Sequence, residues 1–314
     1  MAESNALNAT FKSMDTEEWL DIHFTRPLGL LWARLFNSFD VHPNVVTVLS
    51  IVLGVAAAVF FYFDSVWLNA VGILLLVWAN IYDSCDGQMA RMTGKKTRLG
   101  RVLDGFAGDV WFFSIYFAIC MRLTPQEIPF IHVKWGVWIW LLCALAGFIC
   151  HGKQCQLADY YRNIHLRFLK GEGGSELDRS VVLREEFRAL PWRQDVVWKV
   201  FLYFYGNYTR GQELMTPRFQ QLRAALDGRF GAALPDALRA DFRAGSLPLM
   251  PLANILTFNT RAIVLYLSLL AGLPWVYPLV EITLLHALFL YMRRRHEGLC
   301  ARLTANIDSY APAV

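Results

Sequence analysis

Six apolar stretches, each close to the length that crosses a bilayer, constrain this chain more than any other feature. A helix needs about 20 mostly apolar residues to span the hydrocarbon. Without water there, the backbone must satisfy its own polar groups, which favours helix. The stretches are 44–63, 67–82, 102–121, 133–150, 249–273 and 275–292. The second is the shortest and runs directly into acidic residues. Composition agrees: 55% of residues are hydrophobic and 18% charged, against about 25% charged in an ordinary soluble domain. The chain also has 12 Tyr and 11 Trp, residues that suit membrane interfaces. The expected fold is an all-α integral membrane protein with six transmembrane helices.

Ahead of the first stretch, EWLDIHFTRPLGLLWARLF offers Thr25 as a helix cap and Pro27 in the first turn. Leu28, Leu31, Trp32 and Leu35 follow at helical spacing. This segment reads either as an interfacial amphipathic helix or as a helix packed on the bundle. The expected organisation is a tail and interfacial helix over 1–41, four spans within 42–152, a helical insert over 153–248, two spans over 249–292 and a tail over 293–314. In the insert, GEGGSELD at 171–178 reads as a turn. VVWKVFLYFY at 196–205 reads as re-entrant or interfacial, and PDALRADFRAG as a surface helix ended by Gly245. The polar start of the chain does not read as a cleaved signal peptide. Six cysteines without a Cys-x-x-Cys pair indicate neither a disulfide framework nor a zinc site. Arg91, Lys95, Lys96, Arg98 and Arg101 follow the second stretch, and Arg293, Arg294 and Arg295 follow the sixth. By the positive-inside rule both termini, the 95–101 loop and the insert are expected on the cytoplasmic side. A net charge of +4 alone points only to anionic surfaces or substrates, and nothing in the chain calls for nucleic acid.

The second stretch ends in DSCDGQMAR. Asp83 and Asp86 stand at i and i+3 and share a helix face. Two carboxylates at a membrane edge repel each other and lose hydration. A divalent cation relieves both costs, and hard oxygen ligands suit Mg²⁺, Mn²⁺ or Ca²⁺. Gly87 and Ala90 continue the stripe with small side chains. Gly in a helix costs about 1 kcal/mol relative to Ala, so Gly87 calls for a reason such as close approach of a ligand. Gly100 and Asp104 lie at i and i+4 where the third span begins, on the side where the second ends. Three carboxylates can therefore meet.

These residues resemble the signature of the CDP-alcohol phosphotransferases, Asp-x2-Asp-Gly-x2-Ala-Arg-x8-Gly-x3-Asp-x3-Asp. The chain matches at Asp83, Asp86, Gly87, Ala90, Arg91, Gly100 and Asp104 with every spacing kept. The six-span layout, the helix ahead of the first span, and Pro43, Asn44 and Thr47 add to the likeness. Within the family it resembles the phosphatidylinositol-phosphate and phosphatidylglycerophosphate synthase types. The last Asp of the signature falls on Gly108, and Asp109 follows it. Five helical residues turn about 140° past a full circle, so Asp109 joins the set only through a π-type turn or local unwinding near Gly105 and Gly108. The resemblance implies that Asp83, Asp86, Asp104 and Asp109 hold Mg²⁺ or Mn²⁺, with Asp109 as general base. It implies that Gly87, Ala90, Arg91 and Gly100 receive a CDP-linked donor, that an alcohol acceptor is substituted with release of CMP, and that membrane lipids surround the enzyme. It extends to a homodimer, which the spacing itself does not show.

The acceptor is less legible. Lys153 and Arg162 suit an anionic acceptor such as a sugar or polyol phosphate, and equally a basic edge against lipid headgroups. Arg261 sits about 11 residues inside the fifth stretch, roughly 16 Å at helical rise. It reads as a structural partner of Glu281, or as a phosphate contact in the acceptor pocket. For the whole chain, CDP-diacylglycerol with an acceptor such as inositol phosphate leads. CDP-choline or CDP-ethanolamine with a lipid alcohol or ceramide, a cation transporter, and a non-catalytic membrane scaffold are the competing readings.

Overall fold

The computed structural model describes residues 13–95, 97–171, 175, 177–231 and 233–310. Lys96 and half of the expected turn at 171–178 lie outside them. The described chain is helical, without a strand among the described residues. Six helices are long and apolar enough to cross a membrane: Pro43–Tyr62, Val66–Thr93, Val102–Leu123, Val137–Lys170, Asp236–Leu270 and Val276–Ala305. All six expected spans are present, and most run further than their apolar cores. The chain divides into two compact units. One holds the residues up to His151 and Arg261–Thr283; the other holds Gly152–Thr260 and the residues from Leu284 onward.

In the first unit, α1 (Arg26–Ser38) precedes α2 (Pro43–Tyr62), α3 (Val66–Thr93), α4 (Arg98–Leu123) and α5 (Val137–Ala144). Thr25 does not cap α1. It is itself helical, at φ −66° and ψ −45°, and closes a π-helical turn over Asp21–Thr25. The helix therefore starts upstream of the expected cap. α1 packs on α3, burying Gly29 and Ala33 while Leu31 and Leu35 stay exposed. Gly29 permits this contact: a Cβ there would stand 2.9 Å from Gln88 Nε2 and 3.3 Å from the Cys85 amide nitrogen. One face of the segment thus packs on the bundle, while the exposed Leu31 and Leu35 on the other suit an interfacial placement.

α2 packs against both α3 and α4. The Trp111 indole of α4 donates to the Ser50 carbonyl of α2 at 3.1 Å. His42 caps α2, its Nδ1 accepting from the Asn44 amide at 3.2 Å. Thr97 caps α4, its hydroxyl accepting from the Gly100 amide at 2.9 Å. The same hydroxyl lies 3.3 Å from the Asn44 side chain, which ties the starts of α2 and α4 together.

In the second unit, α6 (Gly152–Lys170) leads into α7 (Ser180–Ala189), α8 (Val196–Met215), α9 (Pro217–Arg229), α10 (Asp236–Ser246) and α11 (Met250–Ile255). The 196–205 segment forms the first half of the 20-residue helix α8. Gly245 does not end α10, because the chain continues through a 3-10 turn at Leu247–Leu249 into α11. A break at Leu256–Thr257 precedes α12 (Phe258–Leu270), which returns to the first unit, followed by α13 (Val276–Val280). Finally α14 (His286–Ala305) belongs to the second unit.

Candidate active site

α3 does not stop at Tyr82. It runs another three turns to Thr93 and ends at Gly94 in the left-handed region, φ +69°. Asp83, Asp86, Gly87, Ala90 and Arg91 therefore lie on a continuous helix. α4 begins at Arg98 and places Gly100 and Asp104 in its first two turns. Asp83, Asp86 and Asp104 each bring a carboxylate oxygen within 4.8 Å of the others. Asp86 is 4% exposed, Asp83 is half-buried and Asp104 is open to solvent.

These residues fit a divalent cation. The donors are hard oxygens from two helices, and Asp86 Oδ2 is buried with no hydrogen-bond partner among the described residues. An unsatisfied buried carboxylate oxygen is costly, and a coordinated ion is the natural remedy. Thr47 of α2 and the Gly87 backbone stand beside the same carboxylate.

The small residues have visible reasons. The Arg91 guanidinium lies over Gly87, where a Cβ would sit 3.5 Å from Arg91 Nη1. At Gly100 a Cβ would meet Asn44 Oδ1 at 2.7 Å, so the residue lets α4 start against α2. α1 contributes features the spacing did not mark. Arg26 donates to both Glu17 oxygens, at 2.9 and 2.8 Å, and this pair lies within electrostatic range of Arg91. Gln88 Nε2 donates to the Arg26 carbonyl at 3.1 Å.

Asp109 does not join the carboxylates. The expected π-type turn is absent, and α4 is regular α-helix from Arg98 to Leu123. Asp109 is thus turned about 140° from Asp104. It shares a helix face with Phe112 and Tyr116, on the side of His151. Gly108 does lie on the face of Asp104, and a Cβ there would meet nothing within 4 Å. The position of the missing carboxylate is open space.

Besides the one at Asp21–Thr25, π-helical turns occur at Leu145–His151 and Glu281–Leu285. Each of the latter two presents a polar side chain to Arg261, which is fully buried. Arg261 Nη1 donates to both Glu281 oxygens, at 2.7 and 2.6 Å, and lies 2.8 Å from His151 Nδ1. Tyr277 donates to Glu281 Oε1 at 3.1 Å, and Tyr116 to Tyr277 at 3.2 Å. The expected Arg261–Glu281 pair is present, extended by His151, Tyr277 and Tyr116, which sequence spacing did not link to it.

Lys153 and Arg162 lie on α6 in the second unit. Lys153 is exposed. Arg162 is held by Asn254 Oδ1 and by the Thr257 hydroxyl at 3.3 Å, both neutral, with no carboxylate partner among the described residues. A second set of ligand-type side chains, His296, Glu297 and Cys300, clusters on α14. Its members have structural work: Glu297 accepts from the Arg218 and Phe219 amides at the start of α9, and His296 stacks on Tyr161 at 3.8 Å.

Comparison with known proteins agrees with this geometry. The chain is 29% identical over 159 residues to a protein of Aquifex aeolicus (strain VF5) described as a bifunctional IPC transferase and DIPP synthase. The matched region is 48% of this chain and 33% of the relative, so the chain spans about a third of that protein's length. No solved structure matches. The CDP-alcohol phosphatidyltransferases are transferases of substituted phosphate groups and in general depend on divalent metals. Residues 40–164, the stretch that supplies Asp83, Asp86 and Asp104, match the pattern of the CDP-alcohol phosphatidyltransferase family.

Proposed function

We propose that the chain transfers a phosphate-linked group from a CDP-activated donor to an alcohol, with release of CMP. The observation that carries this reading is the convergence of Asp83, Asp86 and Asp104 within the matched region, with Asp86 Oδ2 lacking any other partner among the described residues. These three carboxylates would hold Mg²⁺ or Mn²⁺, which when bound supplies charge neutralisation for the donor's diphosphate. Arg91, bent back over Gly87, pairs with a phosphate oxygen. Gly87, Ala90 and Gly100 leave room for the nucleotide. The acceptor oxygen forms a bond to phosphorus as the bond to the CMP oxygen breaks. Positioning and charge stabilisation do most of this work. Asp109, with His151 beside it, is the remaining carboxylate on this part of α4. We assign it the acceptor's hydroxyl proton.

The favoured donor is CDP-diacylglycerol, and the favoured acceptor is a phosphorylated polyol such as inositol phosphate. The exposed Lys153 and the carboxylate-free setting of Arg162 support an anionic acceptor. The basic residues that follow α3 and the sixth span support a cytoplasmic site with both termini on the same side. The test is CMP release by the full chain in lipid nanodiscs with Mg²⁺ or Mn²⁺. CDP-diacylglycerol is offered with inositol phosphate, glycerol phosphate or inositol, and CDP-choline or CDP-ethanolamine with diacylglycerol or ceramide. Turnover only in the second set moves the lipid from donor to acceptor. No CMP from any pair would sink the enzyme reading and leave the membrane scaffold that the bare Gly108 position favours.

A further inference from the structure

The α7–α8 hairpin lies outside the matched family region, and its outer face is unlike that of a water-soluble domain. On α8, Val196, Val197, Val200, Tyr203, Phe204 and Leu214 are all 40% exposed or more. Their spacing puts them on one broad face of the helix, while Trp198, Leu202 and Gly206 are buried. A contiguous apolar face of this kind marks an interaction site. Beside it a groove of about 280 Å³ runs between the two helices, with Phe187, Leu202 and Gly206 among its lining. Arg184 and Arg188, one turn apart on α7, and Arg210 on α8 line the same groove. None of the three has an ion pair or hydrogen bond to another described residue. A guanidinium matches phosphate oxygens with paired donors and is less strongly hydrated than an ammonium group.

We propose that this hairpin lies in the membrane interface and binds anionic phospholipid, with Arg184, Arg188 and Arg210 around the headgroup phosphate and the apolar face of α8 against the acyl chains. Charge complementarity selects this occupant. Three unpaired cations next to apolar and aromatic side chains is the composition of an interfacial helix on an anionic leaflet. The chain is already held in a bilayer by its six spans. The hairpin therefore meets lipid at high effective concentration and needs little affinity of its own. The proposal does not rest on the transferase reading.

The test uses the full chain with Val200→Cys, placed on the apolar face away from the groove, in nanodiscs of phosphatidylcholine with or without phosphatidylglycerol. The readout is the rate of modification by a water-soluble maleimide, against the parent protein, whose described cysteines are buried apart from the half-buried Cys155. Each arginine near an anionic surface contributes roughly fivefold, so phosphatidylglycerol should slow modification at least about tenfold. Arg184→Gln with Arg188→Gln and Arg210→Gln should abolish the difference. If that variant fails to fold, raising salt with the arginines intact serves instead. Screening to about 3 Å at 1 M should restore the fast rate. Equal rates in the two disc compositions would overturn the proposal. Slowing that follows the number of protein copies per disc, whatever the lipid, would overturn it in favour of a protein partner.

Discussion

At the residue scale, the carboxylates separate by face. Asp104 turns toward Asp83 and Asp86, whereas Asp109 turns toward His151. Asp86→Asn should remove CMP release and weaken Mn²⁺ binding measured by electron paramagnetic resonance, with the fold kept. Retained turnover would remove this residue from the site. Asp109→Asn should slow CMP release by about 10²–10⁴-fold if it is the base, and near wild-type turnover would exclude it. Because nothing lies within 4 Å of a Cβ at Gly108, Gly108→Asp should be accommodated and should restore turnover to the Asp109→Asn protein. Arg261→Ala leaves Glu281 buried without its cation, and should cost about 3–5 kcal/mol. Paired Arg261→Met and Glu281→Gln should recover part of that in thermal unfolding. A selective rise in acceptor KM with unchanged stability would instead put Arg261 in the acceptor pocket.

At the element scale, apolar counting located every span but not where each helix ends. α3 passes from Tyr82 into Asp83 without a break because backbone hydrogen bonding continues to Thr93, well past the last apolar turn. The seven matching positions of the motif were legible because they depend on fixed spacing within helices. The facing of Asp109 was not, because it depends on whether one turn of α4 is wound as α or π, a difference no residue type declares. Thr25 was misread for a related reason: a capping residue type is not a cap when the helix already runs through it. The contact of α1 with α3 belongs to this scale. Gly29→Leu should push α1 away from Cys85 and Gln88, since a backbone nitrogen at 3.3 Å cannot yield as a side chain can. The expected loss of both turnover and thermal stability should exceed that of Leu31→Ala on the exposed face.

At the scale of the whole molecule, six crossings would put residues before the first span and after the last on the same side of the membrane. Tags at the two termini in sealed vesicles should show the same protease accessibility, and opposite accessibility would mean that one of the six helices does not cross. The insert was the least legible region, since short amphipathic helices such as α7, packed on α8, and α10, packed on α6 and α14, take their positions from neighbouring helices rather than from hydrocarbon length. The buried network around Arg261 also bears on how the chain is made. Arg261 on α12 and Glu281 just after α13 are each expensive alone in hydrocarbon, and they form a pair across the connection containing Gly272 at φ +70°. The two segments therefore enter the bilayer more cheaply as one hairpin than in succession. Arg261 without Glu281 raises the cost of inserting α12 alone by roughly 2.5–3.5 kcal/mol, so a nascent chain truncated before Glu281 should insert α12 less completely than one that includes it, as measured by glycosylation-site mapping.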